Sequence, residues 1–487
     1  MKNLMKIFVL LFVLTISTVG VAGTITSTTA KIVATNFVQE VDSRVQSSSL
    51  SLVYTSVQAN TSLMYVFGHD HGFVLISADD RVQPILGYST EGPFIVPTDA
   101  NDTTRGNNFW GLMKSFEQQI QYVVENNIPA TEDIATQWSI LISGQSSRNA
   151  TTVVPPLLTT TWDQGWPYNS LCPVDPSGPG GHVWAGCVAT AMAQILKYHN
   201  YPSQGLGAYS YTWGGYPTTS ADFGATTYNW SGMPNSISTE DADVATLIYQ
   251  TAVSCRSMWG AGSTGVGYSG GHDPMTRAFV NYFRMAFSTI QYVRKMDYTD
   301  ADWNVLIQNE LVNNRPVYYR GDGIGSHGFV CDGVDNANMY HFNFGWGGLY
   351  NGYFALSAIT PGGNDFTNSQ EAIIGIKPND GSTLVVNTTW SGTITKVTHV
   401  AVPDAITLTV TPGATIQFAQ DCKLQIFGSL LSTGTSTNYA KFTATNTVTG
   451  WDGIKWDNYY MAYEVMADND SSKLIYTQVE YSKNSGI

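Results

Sequence analysis

The stretch "GHVWAGCVATAMAQILKYHNYP", residues 181–202, sets Cys187 directly after Ala185-Gly186 and directly before a helix-forming run. Val188 to Tyr198 is rich in Ala, Met, Gln and Leu and holds no Gly or Pro. It is predicted to be helical until Asn200 and Pro202 stop it. Cys187 then stands at a helix N-terminus, where unpaired N–H groups and the dipole favour a thiolate. Gly186 permits a close backbone approach. Alone, the pattern describes a small buried cysteine at a helix start equally well.

A nucleophile needs a base, and His199, His272, His327, His341 and His399 follow Cys187. His199 lies at the predicted helix C-terminus, where a histidine helps satisfy free carbonyls. His327 is different: "GDGIGSHGFVCDGV" (321–334) puts it at the mouth of an apolar strand, Phe329 to Val334, with glycines in front. It follows Cys187 by 140 residues, within the range of papain-like enzymes. "YHFNFGWGGLYNGYF" (340–354) then supplies Asn343, predicted to lie on the next strand of a hairpin. An Asn there can accept from the imidazole N–H and hold its tautomer, with Trp346 shielding that bond from water. The competing reading is two core strands with a buried Asn. Upstream, "TTTWDQGWPYNSLCP" (159–173) offers Gln164, whose amide with the Cys187 N–H would form an oxyanion hole.

These segments, together with "RPVYYRGDGIGSHGFVCDGV" and the closing "AIIGIKP", resemble the streptopain family of secreted bacterial cysteine proteases, a branch of the papain-like fold. The resemblance covers about Thr159 to Pro378, and "GFVLISADDRVQPILGYS" (72–89) resembles the family's inhibitory propeptide. It implies Cys187 as nucleophile, His327 as general base, and Asn343 and Trp346 within an Asn-Trp-Gly-Trp-Gly-Gly motif. Phe344 stands where that motif has its first Trp, so an indole N–H is lost. Gln164 matches a family glutamine. The implied partners are protein or peptide substrates and the chain's own propeptide as an intramolecular inhibitor; no cofactor is implied.

The rest of the chain fits that outline. Its 487 residues exceed one ordinary core, and 12% charged residues with 43% hydrophobic ones argue against disorder. A net charge of −14 argues against nucleic acid or an anionic membrane as partner. A basic start, the apolar run Ile7 to Ile16 and the small residues Gly20-Val21-Ala22 read as a signal peptide, residues 1–22, for secretion or cell-surface display. As a membrane anchor that run is short of the roughly 20 residues a span needs, and no later segment is long and apolar enough to cross. Five cysteines without Cys/His clusters at zinc-ligand spacing leave at least one free thiol and suggest no metal. The match of residues 265–270 to GxGxxG has no strand before it and no helix after it, and reads as a Gly-rich loop beside the cleft.

The expected fold is α+β. Residues 23–150 form an inhibitory prodomain, with Ile32, Val33, Phe37 and Val41 at helical spacing and strands near 63–67, 73–76 and 85–88. An exposed, cleavable connector covers residues 142–160, and the papain-like domain occupies 151–380. Residues 381–487 are β-rich, with short strands at even spacing that resemble the start of a right-handed parallel β-helix; an immunoglobulin-like sandwich is the alternative. The pattern stops at Ile487 in mid-rhythm, the expectation for a piece of a longer chain. Two other functions stand beside proteolysis: a Cys-His amidase or transglutaminase-like acyl transferase, and a lapsed protease whose tail binds a surface or glycan.

Overall fold

The computed structural model describes residues 23–46, 49–96, 107–145, 152–267, 273–323, 325–356, 370–456, 460–461, 464–465 and 471–483. The signal segment 1–22, residues 146–151 of the connector, residues 268–271 of the Gly-rich stretch, His272 and the last four residues lie outside them.

The first unit is an antiparallel sheet of β1 (Ser51–Gln58), β2 (Thr61–His69), β3 (Gly72–Ser77) and β4 (Ile85–Ser89), packed by α1 (Ser27–Val41), α2 (Asn107–Glu125) and α3 (Glu132–Ser143). Thr26 caps α1 by accepting from the Thr29 N–H. The buried face of α1 is Ala30, Val33, Ala34, Phe37 and Val38, whereas Ile32, one of the apolar positions at helical spacing, is exposed. Positions 30, 33, 34, 37 and 38 follow a 3.6-residue period more closely, and two of them are alanines that the apolar spacing hides.

The second unit opens with β5 (Thr152–Val154), so part of the expected connector is a strand. Then follow α4 (Cys187–His199), the hairpin β6 (Ala208–Tyr211) and β7 (Thr219–Asp222), α5 (Ala242–Ser254), α6 (Pro274–Asn281), β8 (Gln291–Arg294) and α7 (Asp300–Val312). β9 (Val317–Gly323), β10 (Gly325–Asp335), β11 (Met339–Asn343), β12 (Gly352–Ala355) and β13 (Glu371–Ile374) complete it. The two units share one sheet, in the order β1-β2-β3-β4-β12-β11-β10-β9-β13-β8, with β5 on β10. At the junction Tyr353 pairs with Tyr88 and Phe354 with Gly87. A Cβ at residue 87 would lie 2.3 Å from the Phe354 ring, so this seam requires glycine.

The tail holds three parallel ladders. One stacks Thr388–Trp390, Thr407–Val410, Ser429–Thr433 and Lys473–Ile475. The second stacks Thr393–Lys396, Thr415–Phe418, Ala440–Ala444 and Thr477–Val479. The third stacks Val400–Val402, Lys423–Ile426 and Gly453–Trp456. Alternate residues such as Leu408, Val410, Ile416, Phe418, Leu424 and Ile426 are fully buried. Parallel pairing is not that of an immunoglobulin-like sandwich, whose sheets are antiparallel. The tail is fixed to the second unit: Arg277 of α6 bonds both Asp404 oxygens, at 2.9 and 3.0 Å, and Phe427 and Ala401 belong to the core around α4. Among the described residues no helix is long and apolar enough to cross a membrane.

Candidate active site

Cys187 is the first residue of α4, and its predecessor Gly186 has φ +95°. Only glycine takes that backbone comfortably, and a Cβ there would also lie 3.0 Å from the Thr264 carbonyl oxygen. The helix ends as its sequence predicts, with Asn200 left-handed at the C-cap.

His327 lies on β10 and its ring is half-buried beside the thiol. The Gly328 N–H points at Cys187 Sγ, 3.4 Å away. Burial works against a thiolate here, but the His327 ring and the Gly328 and Val188 N–H groups outweigh it, leaving the Cys187 thiol below its ordinary range. Burial, foremost, pushes Cys172, Cys255, Cys331 and Cys422 up instead. All five cysteines are free. Cys187 alone among them has been tuned towards the nucleophilic form.

Gln164 sits in a turn built by Asp163, whose Oδ1 accepts from the Gln164 and Gly165 N–H groups at 2.7 and 2.9 Å. The Gln164 carbonyl accepts from the Ala185 N–H at 2.9 Å, which pins this loop two residues from Cys187. Its side-chain Nε2 donates to the Gly345 carbonyl at 3.3 Å and retains a second hydrogen. The Gln164 backbone is therefore held beside the start of α4 and its side chain against the segment that follows β11.

Asn343 takes other partners than the sequence suggests. Asn343 Oδ1 accepts from Gln194 Nε2 and the Gly345 N–H, both at 3.1 Å, and its Nδ2 donates to the Thr160 carbonyl at 2.8 Å. No described bond joins it to His327, whose buried Nδ1 has no hydrogen-bond partner among the described residues. A buried amide must be satisfied by whatever packs round it, and here three chain segments do so. Trp346 packs edge-on against Trp184, ring centres 5.8 Å apart. Phe344 is buried among Phe329, Phe342 and Phe354, and the edge of Phe109 from α2 meets it at 6.1 Å.

Three features escaped the sequence. Gln194, fully buried two turns below Cys187, carried one available signal, a long polar side chain within an apolar helical stripe. His341, passed over as a candidate base, lies between two carboxylates: Asp332 Oδ1 at 2.6 Å and Glu91 Oε1 at 2.9 Å. The first unit also leans on the motif that follows Asn343, with Phe109 stacked on Tyr350 at 4.2 Å and the Tyr350 hydroxyl donating to the Ile95 carbonyl.

Residues 162–354 match the Peptidase C10 family and residues 22–120 match the Spi protease inhibitor. Streptopain of Streptococcus pyogenes is 34% identical over 348 residues, 65% of this chain and 81% of streptopain. The thiol protease/hemagglutinin PrtT of Porphyromonas gingivalis is 31% identical over 448 residues; the match takes in 85% of this chain, which spans about half, 49%, of PrtT. A fragment of Prevotella intermedia prointerpain A, 28% identical, superposes with a TM-score of 0.53 over 68% of this chain and 99% of the fragment. With its buried, lowered-pKa cysteine between Gly186 and a histidine-bearing strand, the chain belongs to the Peptidase C10 family of streptopain-like cysteine proteases, preceded by a domain of the Spi inhibitor type.

Proposed function

We propose that the protein is a secreted cysteine endopeptidase made as a zymogen. The observation that carries this is the environment of Cys187, where a ring and two N–H groups outweigh burial and lower the thiol's pKa, with the Gly328 N–H 3.4 Å from Sγ. Thiolate Cys187 attacks the scissile carbonyl carbon and its electron pair forms the C–S bond. The oxyanion is met by the Cys187 N–H, which has no intrahelical acceptor at the helix start, and by the Gln164 amide. One such donor typically contributes about 3 kcal/mol. The tetrahedral intermediate collapses as His327 protonates the leaving amine, and water, deprotonated by the same ring, releases the acid from the thioester.

In this reading residues 1–22 direct export, 23–150 cover the cleft, 151–380 carry the chemistry and cleavage falls in the connector near 145–157. The three parallel ladders of residues 381–487 support a parallel β-helix start for the tail, whose strands recur with each turn of the chain. A net charge of −14 favours protein or peptide substrates over nucleic acid.

The test compares residues 23–487 as wild type and as Cys187→Ala, by intact mass and an active-site thiol probe under reducing conditions. Wild type should shed its first 125 to 135 residues and label at Cys187, while the variant stays whole. If wild type stays whole and unlabelled even after an added protease cuts the connector, Cys187 is a structural residue, proteolysis and acyl transfer are both lost, and the reading of a lapsed protease with a surface- or glycan-binding tail returns.

A further inference from the structure

The reading of Gln164 as an oxyanion donor raises the question of what aims its amide. Gln164 Nε2 donates to the Gly345 carbonyl, so the position of that carbonyl fixes where the amide's other hydrogen points. Gly345 has φ +70°, a conformation with no Cβ to steady it, and a Cβ there would lie 3.2 Å from Thr190 of α4. Its own N–H is tied instead to Asn343 Oδ1 at 3.1 Å. Asn343 Oδ1 is in turn held by Gln194 Nε2 at 3.1 Å.

Gln194 does more than close that chain. Its Oε1 accepts from the Thr160 hydroxyl at 2.9 Å and from the Trp162 N–H at 3.3 Å. The Thr160 carbonyl takes the remaining described Asn343 bond, and the Gly347 N–H donates to the Trp162 carbonyl. One side chain of the nucleophile helix thus ties the segment leading into Gln164 to the segment leading out of β11. Gln194, Thr160, Asn343 and Gln164 are each at most 4% exposed, so water offers these groups no ready substitute.

We propose that Gln194 is a positioning residue of the protease, which holds Asn343 and Gly345 so that the Gln164 amide faces the oxyanion. Asn343 then serves the reaction from the oxyanion side, through Gly345, and not by orienting His327. This inference rests on the Gln164 reading above.

The test is a double-mutant cycle on the full chain after activation, using Gln164→Ala, Gln194→Leu and both together. Gln194→Met is the second variant if Leu fails to fold; it keeps the length of the side chain but can neither accept from Thr160 and Trp162 nor donate to Asn343. Three quantities are read for each: kcat and KM on a peptide amide, and the rate of Cys187 alkylation by iodoacetamide. Alkylation needs the thiolate but no oxyanion hole, so a misfolded or mispaired site would lower it.

Gln164→Ala should lower kcat roughly a hundredfold. Gln194→Leu or Gln194→Met should lower kcat roughly tenfold or more, with KM within about threefold and alkylation within about twofold. Adding the Gln194 change to Gln164→Ala should cost little further, because the amide it aims is already gone. The inference is overturned if kcat survives both Gln194 changes while Gln164→Ala lowers it, if the losses multiply in the double variant, or if alkylation falls in step with kcat. If Gln164→Ala itself leaves kcat unchanged, the oxyanion reading fails first and the inference falls with it.

Discussion

Glu91 of the inhibitor-like domain and His341 of the protease form an ion pair across the seam between them, Oε1 to Nε2 at 2.9 Å, with Asp332 closing on the other ring nitrogen at 2.6 Å. Burial opposes charge on His341, but the two carboxylates outweigh it and raise its pKa to about 10. Glu91 moves the other way: burial pushes it up, and the His341 ring pulls it below its ordinary value. Asp332 also accepts from the Leu157 and Leu158 N–H groups, so the seam runs on into residues 157 and 158, which the sequence assigned to the connector.

The signs give a pH window for this contact. His341 contributes stability that is complete below its unfolded value near 6.5 and lost as the pH rises through about 10. Glu91 contributes stability that is complete above about 4.5 and lost as the pH falls through its lowered value. Once the connector is cut, the inhibitor-like domain should leave more readily as the pH drops below about 4.5. Glu91→Gln should remove that dependence and weaken docking about fivefold at neutral pH, near 1 kcal/mol after allowing for solvent at Glu91. Titrating domain release at several pH values checks both; an unchanged acid limb in Glu91→Gln would refute the assignment.

Replacing His327 by alanine takes away the ring that favours the thiolate and leaves burial opposed only by backbone N–H groups. The pH at which iodoacetamide alkylates Cys187 should rise. At pH 6 the rate should fall at least about tenfold, since one unit of pKa is about 1.4 kcal/mol. A profile identical to wild type would show that the thiol is tuned without the histidine.

Phe344→Trp restores the family's ring but not a vacancy for it. The site is filled by Phe329, Phe342, Phe354 and Phe109, and an indole is larger than the ring it replaces. The variant should lose about 1–3 kcal/mol by overpacking, measured as a lower thermal midpoint. Because Phe109 belongs to α2, the inhibitor-like domain should also dock less tightly. A more stable Phe344→Trp would mean that the cluster has slack.

Arg277→Ala removes the cation that holds both Asp404 oxygens, while Asn281 still donates to one of them at 3.2 Å. The expected cost is about 1–2 kcal/mol in thermal unfolding. The tail should nevertheless remain bound after a nick near residue 380, because Phe427 and Ala401 are part of the protease core. Gel filtration of the nicked variant gives the answer, and a freed tail would contradict it.

What the sequence made legible follows from how local the signals were. α4 with its stop at Asn200, and the hairpin of β10 and β11, rest on uninterrupted runs and turn residues a few positions apart. The bringing together of Cys187 and His327 needed the motif set as well as the spacing. The β4–β12 seam pairs Tyr88 with Tyr353, and no short pattern announces partners so far apart. Asn343 was legible as buried but not in its bonds, because its partner Gln194 lies in a helix that reads as plain apolar filler. In the tail, period-two burial showed strands, whereas parallel or antiparallel pairing depends on connections that spacing alone does not fix.

The shared sheet has a consequence for the protease once it stands alone. β12 lies between β11 and β4, and its outer side is bonded through Tyr353 and Phe354 to Tyr88 and Gly87. Loss of the inhibitor-like domain would convert an interior strand into a short aromatic edge with open N–H and carbonyl groups. Such an edge invites another strand, from a second molecule or from an extended peptide. Activation would then expose a sticking point as well as a cleft, and light scattering before and after removal of the domain would reveal whether the released enzyme self-associates.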